Sequence, residues 1–194
     1  MLGELSERLV SRLSRGIEIS EAEKKVAAYG IEGIISSTIG YSVVLLVGIV
    51  FGYFSEAVIF SLVFSTLRKY VGGYHAKTFL ACKCIVCVTF LVEMGLSRLI
   101  LQTELFIVGN IVGILFLLIV WKYAPVKNRN KRYYEGQIEH LQKVGRGLSV
   151  FVYVFSILLY FLHREIYSIV IATVVVVIVL MIKEVTGDEK GRES

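Results

Sequence analysis

The chain has 194 residues, a formal net charge of +5 and an apolar fraction of 56%, with a mean hydropathy of +0.71. These values exclude a soluble globular domain, because the apolar residues are concentrated in long uncharged runs typical of membrane-spanning helices. The sequence therefore predicts an all-α, polytopic integral membrane protein. We expect one membrane-embedded domain over residues 1–194.

The first predicted element is an amphipathic helix near the start of residues 1–32. Its apolar positions, spaced by three and four, are Leu2, Leu5, Leu9 and Leu13. This spacing places them on one face of a helix. Such a helix lies in the membrane interface, or it packs on the rest of the protein or on a second copy. Ser20 and Glu23 match a capping box, which predicts the start of a second helix.

Six transmembrane helices are predicted in the core, residues 33–182. Four long uncharged runs support four of them: 33–55, 105–121, 147–162 and 166–182. Two runs, 57–67 and 84–92, are shorter than the roughly 20 residues that span a bilayer, so those helices should include polar residues from their ends. Pro125, the only proline, predicts where the fourth span ends. A polar tail follows at residues 183–194.

The basic residues predict the orientation of these spans. Of the 21 Lys and Arg residues, 19 lie in four segments that six spans would place on one side of the membrane. The exceptions are Arg98 and Arg164. Lys and Arg accumulate on the cytoplasmic side of membrane proteins. Both termini and the segment 68–83 are therefore expected at the cytoplasmic face.

A polar segment between the second and third predicted spans carries candidate catalytic residues. It holds His75 and, seven residues later, Cys82. A thiolate can attack a carbonyl, and an imidazole can accept and return the proton. On one continuous helix these residues would lie about 10.5 Å apart along the axis, so the backbone between them must bend. Gly72 and Gly73 supply freedom for that bend, and we expect Cys82 in the first turns of the next helix.

Other interpretations of the same residues stay open. Cysteine is also a small apolar filler in membrane helices, a role that suits Cys84 and Cys87, and His75 could be an ordinary loop residue. A zinc site is disfavoured because Cys82 and Cys84, two positions apart on a helix, do not face the same way. No metal ion, no cofactor and no nucleic-acid partner is expected.

Two charged residues lie at the outer end of the third predicted span. Charges within spans are often functional, so Glu93 and Arg98 keep a membrane transporter open as an alternative function. A non-catalytic membrane signalling partner is a further alternative. An ion pair at the outer interface is the simpler expectation for these two residues.

The pattern R-x-x-x-G-G-x-H-A from Arg68 to Ala76, followed by Cys82, resembles the signature of the accessory gene regulator B (AgrB) family. The similarity extends to the chain length, the amphipathic N-terminus, the number of spans and the Ala-Pro turn before a basic loop. These proteins are integral-membrane cysteine endopeptidases that process quorum-sensing propeptides in Gram-positive bacteria.

The resemblance implies specific roles in the segment. His75 and Cys82 take the catalytic positions, while Arg68, Gly72 and Gly73 belong to the active-site segment that supports them. No acidic residue is identified that would orient His75, so a Cys–His dyad is predicted.

The resemblance also implies the substrate and the setting. The substrate is an AgrD-like propeptide with a short signal region and an acidic C-terminal tail, which the enzyme removes through a thioester. The substrate's own thiol or hydroxyl then closes a thiolactone or lactone. Four basic residues could attract the acidic tail, although binding to anionic lipid explains them equally well: Lys77, Lys127, Arg129 and Lys131. A homodimer in the bacterial cell membrane, with its active site at the cytoplasmic face, is expected.

Overall fold

The computed structural model describes residues 2–14, 20–74, 78–103, 106–126 and 136–190. Seven α-helices account for nearly all of these residues, and no β-strand occurs among them, as predicted for an all-α protein. The helices are α1 (Leu2–Leu13), α2 (Glu21–Phe51), α3 (Phe54–Val71), α4 (Phe79–Thr103), α5 (Phe106–Tyr123), α6 (Gln137–Leu162) and α7 (Arg164–Lys190).

Five of the described helices, α2 and α4 to α7, are long and apolar enough to cross a membrane. The helix α3, expected as the second of six spans, falls short of this. It is as long as α5, with 18 residues, but three of its residues are charged: Glu56, Arg68 and Lys69. The protein is thus built for several passes through the membrane, and the count of six stays a prediction.

The chain divides into two compact units, Met1–Val43 and Val44–Ser194. In the first unit the predicted capping box forms at the start of α2. The Ser20 amide donates to Glu23 Oε2 (2.9 Å), and the Glu23 amide donates to Ser20 Oγ (3.3 Å). Two amides that the first helical turn leaves unpaired are thereby satisfied. The helix α1 forms as predicted, while its location in the membrane interface stays a prediction.

In the second unit, α7 is the central helix. Of its most apolar stretch 67% is buried, against 22% for α4, α5 and α6, and it packs against α3, α4, α5 and α6. The uncharged run 166–182 permits burial on every face, but the run 105–121, which includes most of α5, is equally uncharged, so the central place of α7 follows from packing and not from this pattern. The C-terminal half of α7 consequently reaches the connection between α3 and α4.

Glycines let α5 approach its neighbours closely. A Cβ atom at Gly109 would lie 1.8 Å from the Tyr167 hydroxyl, and one at Gly113 would lie 2.4 Å from the Tyr153 ring. The Tyr153 hydroxyl donates to Asn110 Oδ1 (3.3 Å) on the same side of α5. The two tyrosine rings of α6 and α7 therefore occupy space that only glycine leaves free.

The end of α5 agrees with the prediction from Pro125, since the helix ends at Tyr123. The Arg146 guanidinium donates to the Trp121 carbonyl (3.0 Å) and lies over the Trp121 ring, 5.1 Å from its centroid. This contact ties α6 to the last turn of α5.

Candidate active site

The connection between α3 and α4 contains the predicted break in helical structure. The helix α3 ends at Val71 and α4 begins at Phe79, and the described residues between them are not helical. Cys82 is the fourth residue of α4, in the first turns of the helix as predicted. Residues 75–77, which include His75 and Lys77, lie outside the described residues. The approach of His75 to Cys82 therefore stays a prediction.

Thr78 caps the start of α4. Its hydroxyl oxygen accepts a hydrogen bond from the Ala81 amide (3.3 Å), and its carbonyl accepts one from the Cys82 amide (3.1 Å). A threonine in this position satisfies amides that the first turn of a helix leaves unpaired. The cap fixes the backbone of Cys82 one turn into the helix.

Arg68, in the last turn of α3, lies against the candidate nucleophile. Its Nη2 atom is 4.0 Å from Cys82 Sγ and also donates to the Tyr74 carbonyl. Its guanidinium carbon lies 5.4 Å from the centroid of the Phe64 ring. A cation beside a thiol stabilises negative charge on the sulfur. Arg68 and Cys82, assigned to one segment by the sequence pattern, are brought together by the fold.

The two glycines allow a backbone contact that another residue would block. Gly72 has φ +88° and Gly73 has φ +145°, conformations that residues with side chains rarely adopt. A Cβ atom at Gly72 would lie 2.6 Å from the Val126 carbonyl oxygen. The Val126 amide donates to the Val71 carbonyl (3.0 Å), so the α3–α4 connection pairs with the segment that follows α5.

This pairing brings the start of the basic loop to the active-site segment. Val126 pairs with Gly72 and is the residue directly before Lys127. Three of the basic residues considered for binding an acidic tail lie outside the described residues: Lys127, Arg129 and Lys131. Their role stays a prediction, but the loop that carries them begins beside the segment.

Two residues of α7 contact the active-site segment, and neither was predicted from the sequence. The Leu180 carbonyl accepts a hydrogen bond from the Tyr74 amide (3.2 Å), and Lys183 Nζ lies 4.2 Å from the centroid of the Tyr74 ring. No motif or spacing connects residues so far apart along the chain. Only the central position of α7 brings them to the segment.

The other thiols differ from Cys82. Cys84 is exposed on α4 and Cys87 is half-buried, whereas the sulfur that lies against Arg68 is that of Cys82. Within the described ranges no three side chains of His, Cys, Asp or Glu are grouped so that they could hold a metal ion.

The prediction of an ion pair between Glu93 and Arg98 is wrong. Glu93 is 0% exposed, and neither carboxylate oxygen has a hydrogen-bond partner in the described part of the chain. Arg98 instead lies over the Tyr53 ring, 4.4 Å from its centroid. The physical reason is helix geometry, since five positions along α4 separate the two side chains by about 140° around the axis.

Arg98 lines a cavity of about 220 Å³. The cavity is lined by Tyr53, Glu56, Met94, Ser97, Arg98, Leu101, Glu165, Ser168 and Ile169. Its first α4 residue, Met94, lies twelve positions beyond Cys82, which corresponds to about 18 Å along the helix. The cavity is therefore separate from the candidate active site.

Comparison with known proteins identifies the family of the chain. The family model described as Accessory gene regulator B matches residues 6–182. The chain is 28% identical over 171 residues to AgrB-like protein 2 of Clostridium perfringens strain 13, covering 83% of this chain and 79% of that protein. It is 26% identical over 170 residues to an AgrB-like protein of Clostridium perfringens strain SM101, with the same coverage of 83% and 79%. No solved structure matches the chain significantly. The family match covers most of the chain, including the segment from Arg68 to Cys82, and the chain therefore belongs to the accessory gene regulator B family of multi-pass membrane proteins, which act in quorum sensing.

Proposed function

We propose that the protein is a membrane cysteine endopeptidase that removes the acidic C-terminal tail of an AgrD-like propeptide and promotes cyclisation of the remaining peptide. The observation that carries the proposal is the contact between Arg68 Nη2 and Cys82 Sγ at 4.0 Å. The two residues lie on either side of the turn formed by Gly72 and Gly73. A half-buried thiol beside a guanidinium is suited to act as a nucleophile, because the thiolate is the reactive form of cysteine.

In the first step the Cys82 thiolate attacks the peptide carbonyl that precedes the acidic tail. His75 removes the thiol proton and then gives it to the leaving amine, so the C–N bond breaks and the tail leaves with a new amino terminus. The remaining peptide is held as a thioester on Cys82.

In the second step a thiol or hydroxyl of the substrate attacks the thioester carbonyl. His75, neutral again after the first step, takes the proton of the attacking group. The bond to Cys82 breaks, the thiolate is regenerated beside protonated His75, and the product is a thiolactone or lactone. When the attacking group is a thiol, one thioester replaces another of similar energy. Because hydrolysis would compete with this exchange, water must be kept from the thioester. A site at a membrane surface favours this exclusion.

The acidic tail is expected to meet the basic side chains around the segment. The loop that follows Val126 begins beside Gly72, and its lysines and arginines would attract an acidic peptide over several ångströms. The positive-inside rule favours a cytoplasmic location for the active-site segment and for this basic loop. The tail would therefore be released on the cytoplasmic side of the bacterial cell membrane.

The test is coexpression of the full-length protein with its propeptide, followed by detection of the cleaved tail in membranes. We expect cleavage by the wild type and its loss in Cys82→Ala and in His75→Ala. Matched controls are Cys84→Ala and Cys87→Ala, which remove thiols from the same helix and should process normally. Cleavage that survives Cys82→Ala would refute the assigned nucleophile, and a transporter or signalling partner would become the better account if the wild type cleaved nothing.

A further inference from the structure

We infer that the C-terminal half of α7 is a positioning element of the active site, in which Leu180 and Lys183 hold Tyr74 so that its carbonyl orients Arg68 onto Cys82. The inference rests on the proposed function for its biological meaning. The contacts that carry it, however, involve described residues only.

The first link connects α7 to Tyr74 by two independent contacts. The Tyr74 amide donates to the Leu180 carbonyl (3.2 Å), and the Lys183 ammonium lies 4.2 Å from the centroid of the Tyr74 ring. Leu180 and Lys183 are three positions apart, so they share one face of α7. A helix buried in the centre of the unit thus holds both the backbone and the side chain of one loop residue.

The second link connects Tyr74 to the candidate nucleophile. The Tyr74 carbonyl accepts a hydrogen bond from Arg68 Nη2, the same atom that lies 4.0 Å from Cys82 Sγ. An arginine side chain has many rotamers, and fixing it in one of them has an entropic cost. A carbonyl held in place by α7 keeps the guanidinium at the sulfur in the free enzyme.

The contacts distinguish Lys183 from a residue that only stabilises the fold. Lys183 is exposed, so it adds little to the apolar core, and its ammonium group lies against the ring of Tyr74. Its effect on chemistry must therefore pass through Tyr74 and Arg68. That route predicts that a change at Lys183 has no further effect once Arg68 is gone.

The experiment measures the rate of Cys82 alkylation by iodoacetamide, in membranes and at neutral pH. It uses the full-length protein with Cys84→Ala and Cys87→Ala, which leaves Cys82 as the only thiol. We expect Lys183→Ala to slow alkylation about three- to fivefold and Arg68→Ala to slow it about tenfold. Lys183→Arg, which keeps a cation over the ring, should restore most of the rate. The matched control is Thr186→Val, on the exposed side of the same helix.

The combined variant decides between positioning and general destabilisation. In the Arg68→Ala background, Lys183→Ala should slow alkylation no further, whereas independent effects would multiply. Multiplying effects, or a wild-type rate in Lys183→Ala, would overturn the inference. Because alkylation needs no propeptide, these results do not depend on peptidase activity. Absence of propeptide cleavage by the wild type would refute the proposed function instead and would leave the alkylation result standing.

Discussion

Replacing Gly72 by alanine should separate the active-site segment from the loop after α5. The new Cβ atom would lie 2.6 Å from the Val126 carbonyl oxygen and 2.8 Å from its amide nitrogen, both of them backbone atoms. The segment must move, because neither atom belongs to a flexible side chain. The hydrogen bond from the Val126 amide to the Val71 carbonyl is the first contact that this movement breaks.

The expected destabilisation follows from two contributions. Alanine at φ +88° and ψ −167° occupies a backbone region that is nearly exclusive to glycine, which costs about 1–3 kcal/mol. Loss of the Val126 hydrogen bond adds about 0.5–1.5 kcal/mol. A total of about 1.5–4.5 kcal/mol is below the stability of a typical domain, about 5–15 kcal/mol. Gly72→Ala should therefore keep its helices and lose propeptide processing.

The assay compares the release of the acidic tail and the thermal unfolding midpoint in three glycine variants. Gly147→Ala lies in a helix with open space around it, so it should process normally and unfold no earlier than the wild type. Gly52 also has a positive φ, +76°, but a Cβ atom added there by Gly52→Ala would meet no other atom within 4 Å. It therefore measures backbone strain alone, about 1–2 kcal/mol. The reasoning would be refuted if Gly72→Ala processed the propeptide normally and unfolded at the same midpoint as Gly147→Ala.

Three further predictions concern stability. Gly109→Ala should lower the unfolding midpoint by an amount equivalent to about 1–3 kcal/mol, because its Cβ atom would meet the Tyr167 hydroxyl at 1.8 Å. Tyr167→Phe should recover only part of this loss, because the ring carbon Cζ would still lie 2.9 Å from the new Cβ atom; no recovery at all would contradict the assigned contact. Glu93→Leu should leave the midpoint unchanged or raise it, since its buried carboxylate has no partner in the described structure and such burial is unfavourable; a lower midpoint would show that the carboxylate is paired. Ser20→Ala should destabilise the first turn of α2 by about 1 kcal/mol, seen as faster hydrogen exchange there, and unchanged exchange would speak against the cap.

The sequence predicted the features of the site that depend on neighbouring residues. The glycine pair and the distance between His75 and Cys82 required a break in the helix, and the break lies between Val71 and Phe79. Local chemistry also explains the ends of helices, as Ser20 and Pro125 show. Each of these features follows from contacts within a few positions along the chain, which a pattern can reveal.

The sequence did not predict which distant segments hold the site. The pairing of Gly72 with Val126, and of Tyr74 with Leu180, depends on how α5 and α7 pack, and no spacing encodes it. The burial of Glu93 could have been predicted. It shares one face of α4 with the buried residues Val86, Phe90 and Ser97, and the four positions follow one another at spacings of four, three and four.

The most direct test of the account is to trap the acyl-enzyme with purified full-length protein and propeptide. We predict a covalent adduct of the processed peptide on Cys82 in the wild type, which hydroxylamine releases because it is a thioester. The Cys82→Ala variant should form no adduct and release no tail. Release of the acidic tail by Cys82→Ala, or an adduct mapped to Cys84 or Cys87, would contradict the assignment of Cys82 as the nucleophile.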